Sequence, residues 1–337
     1  MATKTATVNA SDVAATLTDY PAYVDLSRVG ITTLAEAESV RVYSDAGLTT
    51  ELAREIVSAS EMHVLIPSLT TSTQIWVDYD GSRADYAVSA TYGRNAVWGD
   101  YEFVSHNGGI DDSTGNVTPT NNGASVITGE IGEAASFDGV SDTINIGTLG
   151  NFGSSIGTGV TAQFLQRVAE TRTGRISSGF INSGATSFFT RLKYVAAGNT
   201  SIFVRNDSGV ADYIEMTSPI YDNNWDWVTF QTVDTATQSY LFYVNGVSET
   251  TTQDTNLVNN YTNTTADYLL GAAKSGSSAI LQAEVDFDEV RFYLGELPAN
   301  WITTEYNNQN DEATFWGTWT DAGGGGATFT PKVSWFT

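Results

Sequence analysis

The feature that most constrains this chain is its rhythm. Short apolar runs alternate with polar residues and are cut apart by turn residues. Tyr23-Val24-Asp25-Leu26, Val40-Arg41-Val42-Tyr43, Met62-His63-Val64-Leu65-Ile66 and Gln74-Ile75-Trp76-Val77-Asp78-Tyr79 are the clearest runs in the first hundred residues. Side chains alternate faces along a strand, so this pattern predicts half-buried β-strands. Residues 44–50 and 80–82 are polar, glycine-containing turns, and 34–37 has room for one helical turn. Further strands are expected over 135–137, 143–146, 161–168, 187–194, 201–205, 227–232, 240–244, 268–270 and 285–293. Many short strands joined by polar turns predict an all-β chain of antiparallel sandwiches. The one convincing helix runs from Pro298 to Asn307, with proline in its first turn and Trp301, Ile302 and Tyr306 as an apolar stripe.

Domain organisation follows from shifts in composition. Residues 1–17 are small, Ala/Thr-rich and poor in core residues, which suggests an N-terminal arm. A small β domain over 18–104 comes next. Residues 105–130 are rich in Gly, Asn, Ser and Thr, which is loop chemistry and the best boundary. A jelly-roll domain over 131–310 follows. The tail at 311–337 sets Trp316, Trp319, Trp335 and Phe336 around a Gly323–Gly326 run. Aromatics beside a flexible hinge are expected to pack on something, either this chain or a partner subunit.

Charge narrows the functional classes. Lys and Arg number 15 against 39 Asp and Glu, a formal net charge of −24. A surface this acidic repels nucleic-acid backbones. With zero cysteine, disulfides, thiol catalysis and zinc–thiolate sites are excluded. No stretch approaches the roughly 20 apolar residues of a membrane helix. The N-terminal stretch lacks a basic start followed by an apolar run, so no secretory signal is visible. An exterior composition without an export signal leads to the expectation of a virion protein released by lysis. A secreted protein given without its leader is the alternative.

The second half carries an ordered set of motifs: Phe137-Asp138-Gly139, Trp225-Asp226-Trp227, Tyr243-Val244-Asn245-Gly246 and Phe287-Asp288-Glu289-Val290-Arg291. Together they resemble the concanavalin A-like, laminin-G-like jelly roll. Asn245 stands where Asp is more usual, and Val228 where His is often found. The first half, through Tyr20-Pro21-Ala22-Tyr23, Glu51-Leu52-Ala53-Arg54 and Tyr92-Gly93-Arg94-Asn95, resembles the small β domain of unknown function that precedes such jelly rolls in phage and bacterial surface proteins. The resemblance implies a non-enzymatic recognition protein: a phage decoration, fibre or tail-associated protein that meets other virion proteins and a host glycan. A bacterial adhesin or carbohydrate-binding module is the second reading.

Several sites follow as expectations. The resemblance implies Ca²⁺ at Asp138 and Asp288, with a carbonyl from Gly139; Asp288 with Arg291 is alternatively a structural ion pair. The loop from Asp111 to Asn116 has oxygen ligands but lacks the EF-hand pattern. Glycan contacts are expected from Asp222, Asn223, Asn224 and Tyr261, and partner contacts from Trp316, Trp319, Trp335 and Phe336. Trp225 and Trp227 share a strand face, and at least one of them is expected in the core. Glu284-Val285-Asp286-Phe287-Asp288-Glu289 spells a glycoside-hydrolase pattern. On a regular strand Glu289 points away from Glu284, and only a bulge would bring it round. A Ser-His-Asp triad would need His63 or His106, and neither has a nucleophile-elbow setting.

Overall fold

The computed structural model describes residues 2–155, 159–168, 187–191, 201–205, 211–216, 223–233, 239–253, 267–275, 278–280 and 284–322. These are nearly all β, in antiparallel sheets.

The N-terminal unit is a sandwich of two sheets. One has the order Thr320–Asp321, Ala2–Thr7, Gln74–Tyr79, Arg41–Tyr43, Glu51–Leu52. The other has the order Leu17–Asp25, Glu61–Leu69, Arg54–Ile56. Alternation decides what each face meets. Tyr20, Ala22 and Val24, with Met62, Val64 and Ile66, point into the core and meet Val42, Ile75 and Val77. The other face of the second sheet carries Tyr23, Glu55, Glu61, His63 and Leu65, and this face is turned to the jelly roll.

The jelly roll's larger sheet runs Ser125–Thr128, Glu133–Asp138, Glu284–Tyr293, Val160–Arg167, Trp225–Val233, Ser239–Val244, Val247–Ser248. Phe137, Phe164, Phe230, Phe287 and Phe292 point from it into a core closed by Ile144, Ile146, Tyr268 and Leu270 of the facing sheet. The strand Glu284–Tyr293 is forked. Glu133–Asp138 pairs with its first half, and Tyr101–Ser105 with its second. Opposite Val160–Arg167, Gln163 pairs with Arg291 but Leu165 pairs with Asp288, so Glu284–Tyr293 holds one extra residue, a β-bulge. Glu289 lies in the bulge with φ 47°.

The helix Ala299–Asn310, with Pro298 as its N-cap, covers the larger sheet's outer face. Its Asn308 side chain accepts from the Tyr23 N–H at 2.7 Å and donates to the Tyr23 carbonyl at 3.0 Å, joining helix to N-terminal unit. The chain then re-enters the N-terminal core through Phe315 and Trp316.

These placements correct three boundaries. Residues 2–7 are not an arm: Ala2–Thr7 lies between two strands of the first sheet, where its Thr-rich composition suits a pleated surface. Residues 101–105 belong to the jelly-roll sheet, and much of 105–130 is a built part of the domain junction, with His106, Asp112, Ser113 and Thr114 buried. The tail to residue 322 belongs to the N-terminal unit.

Candidate functional site

The two units meet along a buried polar layer. Glu61 and His63, two apart on one strand, share the face turned to the jelly roll, and Glu55 pairs directly across from His63. His106 comes from the loop after Tyr101–Ser105, and Glu289 from the bulge. His106 Nδ1 lies 2.8 Å from Glu289 Oε1, and Nε2 lies 3.1 Å from Glu55 Oε2. Glu55 also accepts from Trp98 Nε1 at 2.5 Å and from the Ser113 hydroxyl at 2.6 Å. His63 stacks on His106 with ring centroids 4.2 Å apart. Arg291 donates to Glu289 and, at 2.6 Å, to Glu305 of the covering helix, which also accepts from Gln163. With its amide oxygen turned inward, Gln309 accepts from Arg291 at 2.8 and 2.6 Å.

Burial sets the electrostatics of this layer. Alone it would lower the basicity of His106, but Glu289 and Glu55 outweigh it and hold the imidazole well above its ordinary value. Burial likewise opposes ionisation of Glu289, yet His106 and Arg291 hold its carboxyl below the usual range. Burial raises Glu61 well above that range, with His106 only partly offsetting it. His63 is lowered well below its ordinary value by burial and by the charge on His106.

Beside this layer, where the strand Leu17–Asp25 approaches the start of the covering helix, a cleft of about 500 Å³ opens between the units. Tyr101, Tyr293 and Trp301 give it aromatic walls, and Asp19, Asp100, Glu296 and Asn300 give it oxygen and amide groups. Tyr293 is held edge-on to Tyr101, with ring centroids 5.2 Å apart. Gly295 lets the chain turn back over Tyr293, since a Cβ there would come within 2.9 Å of the ring. Among the described residues, no cationic side chain lines the cleft. Tyr101 and Trp301 are themselves buried, so the partly exposed Tyr293 is the ring that can stack on the apolar face of a sugar while the carboxylates accept from its hydroxyls.

The structure does not assemble the expected calcium pair. Asp138 pairs with Glu284, four residues before Asp288 on the same strand, so the two aspartates stand about 13 Å apart along it. The exposed Asp138 carboxylate closes its own turn, accepting from the N–H groups of Val140, Ser141 and Asp142. Asp288 is buried and accepts from the Ile131 N–H at 3.0 Å. Arg291 pairs with Glu289 and Glu305 instead of Asp288. In the loop after His106, the Asp112 carboxylate is occupied by the N–H groups of Val104, Thr114 and Val117.

The bulge does bring Glu289 to the face that carries Glu284 and Asp286. Glu289 is nevertheless fully buried, and its Cα lies about 15 Å along the strand from that of Glu284. His63 and His106 contact glutamates, so neither is presented to a serine nucleophile. Trp227 is buried against Ile131 and Leu165, while Trp225 is half-buried under Arg167. Asn223 and Asn224 are exposed and precede Trp225 in sequence, and neither lines the cleft; Asp222 and Tyr261 lie outside the described residues. Trp316 is corrected from partner contact to core: it is fully buried and donates to the Tyr23 carbonyl at 2.8 Å. Trp319 packs partly buried beside it, and Trp335 and Phe336 lie outside the described residues.

The sequence reading missed Glu55, Glu61 and Glu305 and the cleft's Tyr101 and Tyr293, and it expected Arg291 in an ion pair but with Asp288 rather than Glu289 and Glu305. A signal existed in Glu61-x-His63, which puts two ionisable groups on one strand face.

No family model matches the chain, and no curated protein matches it. Solved structures with similar traces include the binding domain of Paraclostridial Mosquitocidal Protein 1, at 14% identity and TM-score 0.49, covering 62% of this chain and 52% of that one. The receptor binding domain of botulinum neurotoxin C/D mosaic serotype has 15% identity and TM-score 0.48, covering 63% and 52%. Domain 4 of AbnA, a GH43 extracellular arabinanase from Geobacillus stearothermophilus, in complex with arabinotriose, has 19% identity and TM-score 0.43, covering 58% and 91%. This chain spans about half the length of the first two. Among the described residues, no helix is long and apolar enough to cross a membrane.

Proposed function

We propose that the protein is a non-catalytic recognition protein that binds a neutral carbohydrate in the cleft between its two units. The observation that carries this reading is the lining: Tyr293 beside the buried Tyr101 and Trp301, with Asp19, Asp100, Glu296 and Asn300, and no cation among the described residues. Exposed carboxylates repel anionic sugars, whereas a neutral polyol offers them hydroxyl donors. The separation of Glu284 from Glu289 supports a binding rather than a hydrolytic role. The motif resemblance of both halves to phage and bacterial surface proteins supports an exterior location, with a virion surface the first choice.

The test is a panel of neutral and acidic oligosaccharides, followed by titration of the intrinsic tryptophan fluorescence. Neutral ligands are expected to bind, and Tyr293→Ala is expected to weaken them about tenfold, close to 1.4 kcal/mol. Absence of binding across the panel, or binding unchanged by Tyr293→Ala, rejects the cleft.

A further inference from the structure

We infer that Glu61, His63, His106 and Glu289 form a structural Zn²⁺ site that staples the N-terminal unit to the jelly roll. One ligand atom from each lies within 4.8 Å of all the others. A tetrahedral ion with bonds of about 2.0–2.1 Å holds its ligand atoms about 3.3 Å apart. Glu61 Oε1 lies 3.3 Å from His63 Nε2 and 3.5 Å from His106 Nδ1, and the latter lies 2.8 Å from Glu289 Oε1. These edges lie close to that spacing before any ion draws the ligands in.

Two observations point the same way. First, an outer shell is already built. Metal-bound histidines characteristically give their second ring nitrogen to a carboxylate. His106 offers Nδ1 to the cluster and Nε2 to Glu55, which is itself fixed by Trp98 and Ser113. Second, His63 is completely buried, yet its Nδ1 has no protein partner among the described residues and its Nε2 has only the long contact to Glu61. Nε2 is the ring nitrogen turned to the cluster, its one contact is long, and an ion there would take its lone pair while Nδ1 keeps the ring proton.

The donor set selects the ion. Two imidazole nitrogens with two carboxylate oxygens suit Zn²⁺ and its first-row neighbours, whereas Ca²⁺ and Mg²⁺ take oxygen alone and Cu(I) takes sulfur. All four ligands are buried, which is the closed form of a structural rather than a catalytic zinc. Two ligands come from the N-terminal sheet and two from the jelly-roll side, so the ion ties units far apart in sequence.

The experiment uses the full chain. Zinc content is measured by elemental mass spectrometry after reconstitution with ZnCl₂ and extensive dialysis, and thermal melting is followed with ZnCl₂ and with EDTA. About one Zn²⁺ per chain and a melting midpoint lowered by EDTA are expected. Glu61→Gln and His63→Asn should each weaken Zn²⁺ at least about a hundredfold. Glu55→Gln, which leaves all four ligands in place, should weaken it by about 10–100-fold. A wild-type chain that retains no zinc and melts identically in both solutions overturns the site, leaving a cluster held by shared protons. Full zinc retention in Glu61→Gln and His63→Asn also overturns it, because the ion then sits elsewhere. If those variants fail to fold, Glu55→Gln and the wild-type zinc content still decide.

Discussion

His106 Nδ1 sits 2.8 Å from Glu289 Oε1, although 183 residues separate them in sequence. The contact depends on the bulge. Without the extra residue, Glu289 would take the alternate face of its strand and enter the phenylalanine core. A left-handed backbone at a non-glycine residue carries about 1–3 kcal/mol of strain. The surrounding ion pairs over-determine the position, so the strain persists at a junction rather than relaxing.

Replacing Glu289 with Gln should therefore destabilise the protein by about 3 kcal/mol, because His106 and Arg291 each lose one of two buried counter-charges and keep only Glu55 and Glu305 respectively. Urea unfolding of the metal-free chain measures this. A double-mutant cycle with His106→Gln should give a coupling of at least about 1 kcal/mol. A loss under about 1 kcal/mol would mean that the ion pairs do not hold the junction.

Much of the β framework was legible because its period is short and local. The 201–205 strand was read to the residue, and the Glu284–Tyr293 strand to within one. What alternation could not say was where the second face of each strand goes. Gln163, Gln231 and Arg291 occupy outward positions that a free-standing sandwich would leave in water, and the covering helix and N-terminal unit bury them. The bulge was named only as a condition, since nothing local in Asp288-Glu289-Val290 announces it. The early boundaries failed for a related reason. Ala2–Thr7 has few apolar residues to betray a strand, and composition alone does not tell a loop in water from one packed at a junction, such as that of His106.

Acidity should weaken this protein less at one contact than its charge suggests. Burial raises the Glu312 carboxyl to about 7, even though Arg28 Nη1 lies 2.5 Å away. The folded state then binds a proton that the unfolded chain, with a carboxyl near 4.5, releases. Stability from this group is present below about pH 4.5 and declines as pH rises to about 7, beyond which it is flat. The span is about 3 kcal/mol. Glu312→Gln keeps an acceptor for Arg28 and removes the titration. The difference in urea stability between variant and wild type should grow in favour of the variant between pH 5 and pH 8; a constant difference would contradict the buried, raised carboxyl.

Trp316 should behave as core. Trp316→Ala is expected to lose about 3–5 kcal/mol. Trp316→Phe should lose about 1–2 kcal/mol, because Asn308 still donates to the Tyr23 carbonyl. Thermal and urea unfolding distinguish this from a partner-contact role, in which the alanine variant would keep its stability and change only its assembly.

Gly108 should be the least replaceable glycine of the junction. It lies at φ 70°, where the strand Glu284–Tyr293 passes from one neighbour to the other, and an added Cβ would overlap the Phe287 carbonyl and the Ala135 N–H. Both obstacles are backbone atoms held in the sheet, so neither can move aside as a side chain would. Ala adds the left-handed penalty to that overlap, and Gly108→Ala should destabilise by about 3 kcal/mol or more. Gly147 provides the control. It too has a positive φ, 100°, but a Cβ there meets nothing within 4 Å, so Gly147→Ala carries the conformational penalty alone. The unfolding free energies of the two variants, read from urea titrations, should differ by at least about 1 kcal/mol. Equal free energies would show that the fork yields, and that the bulge holding Glu289 against His106 does not depend on the close approach at Gly108.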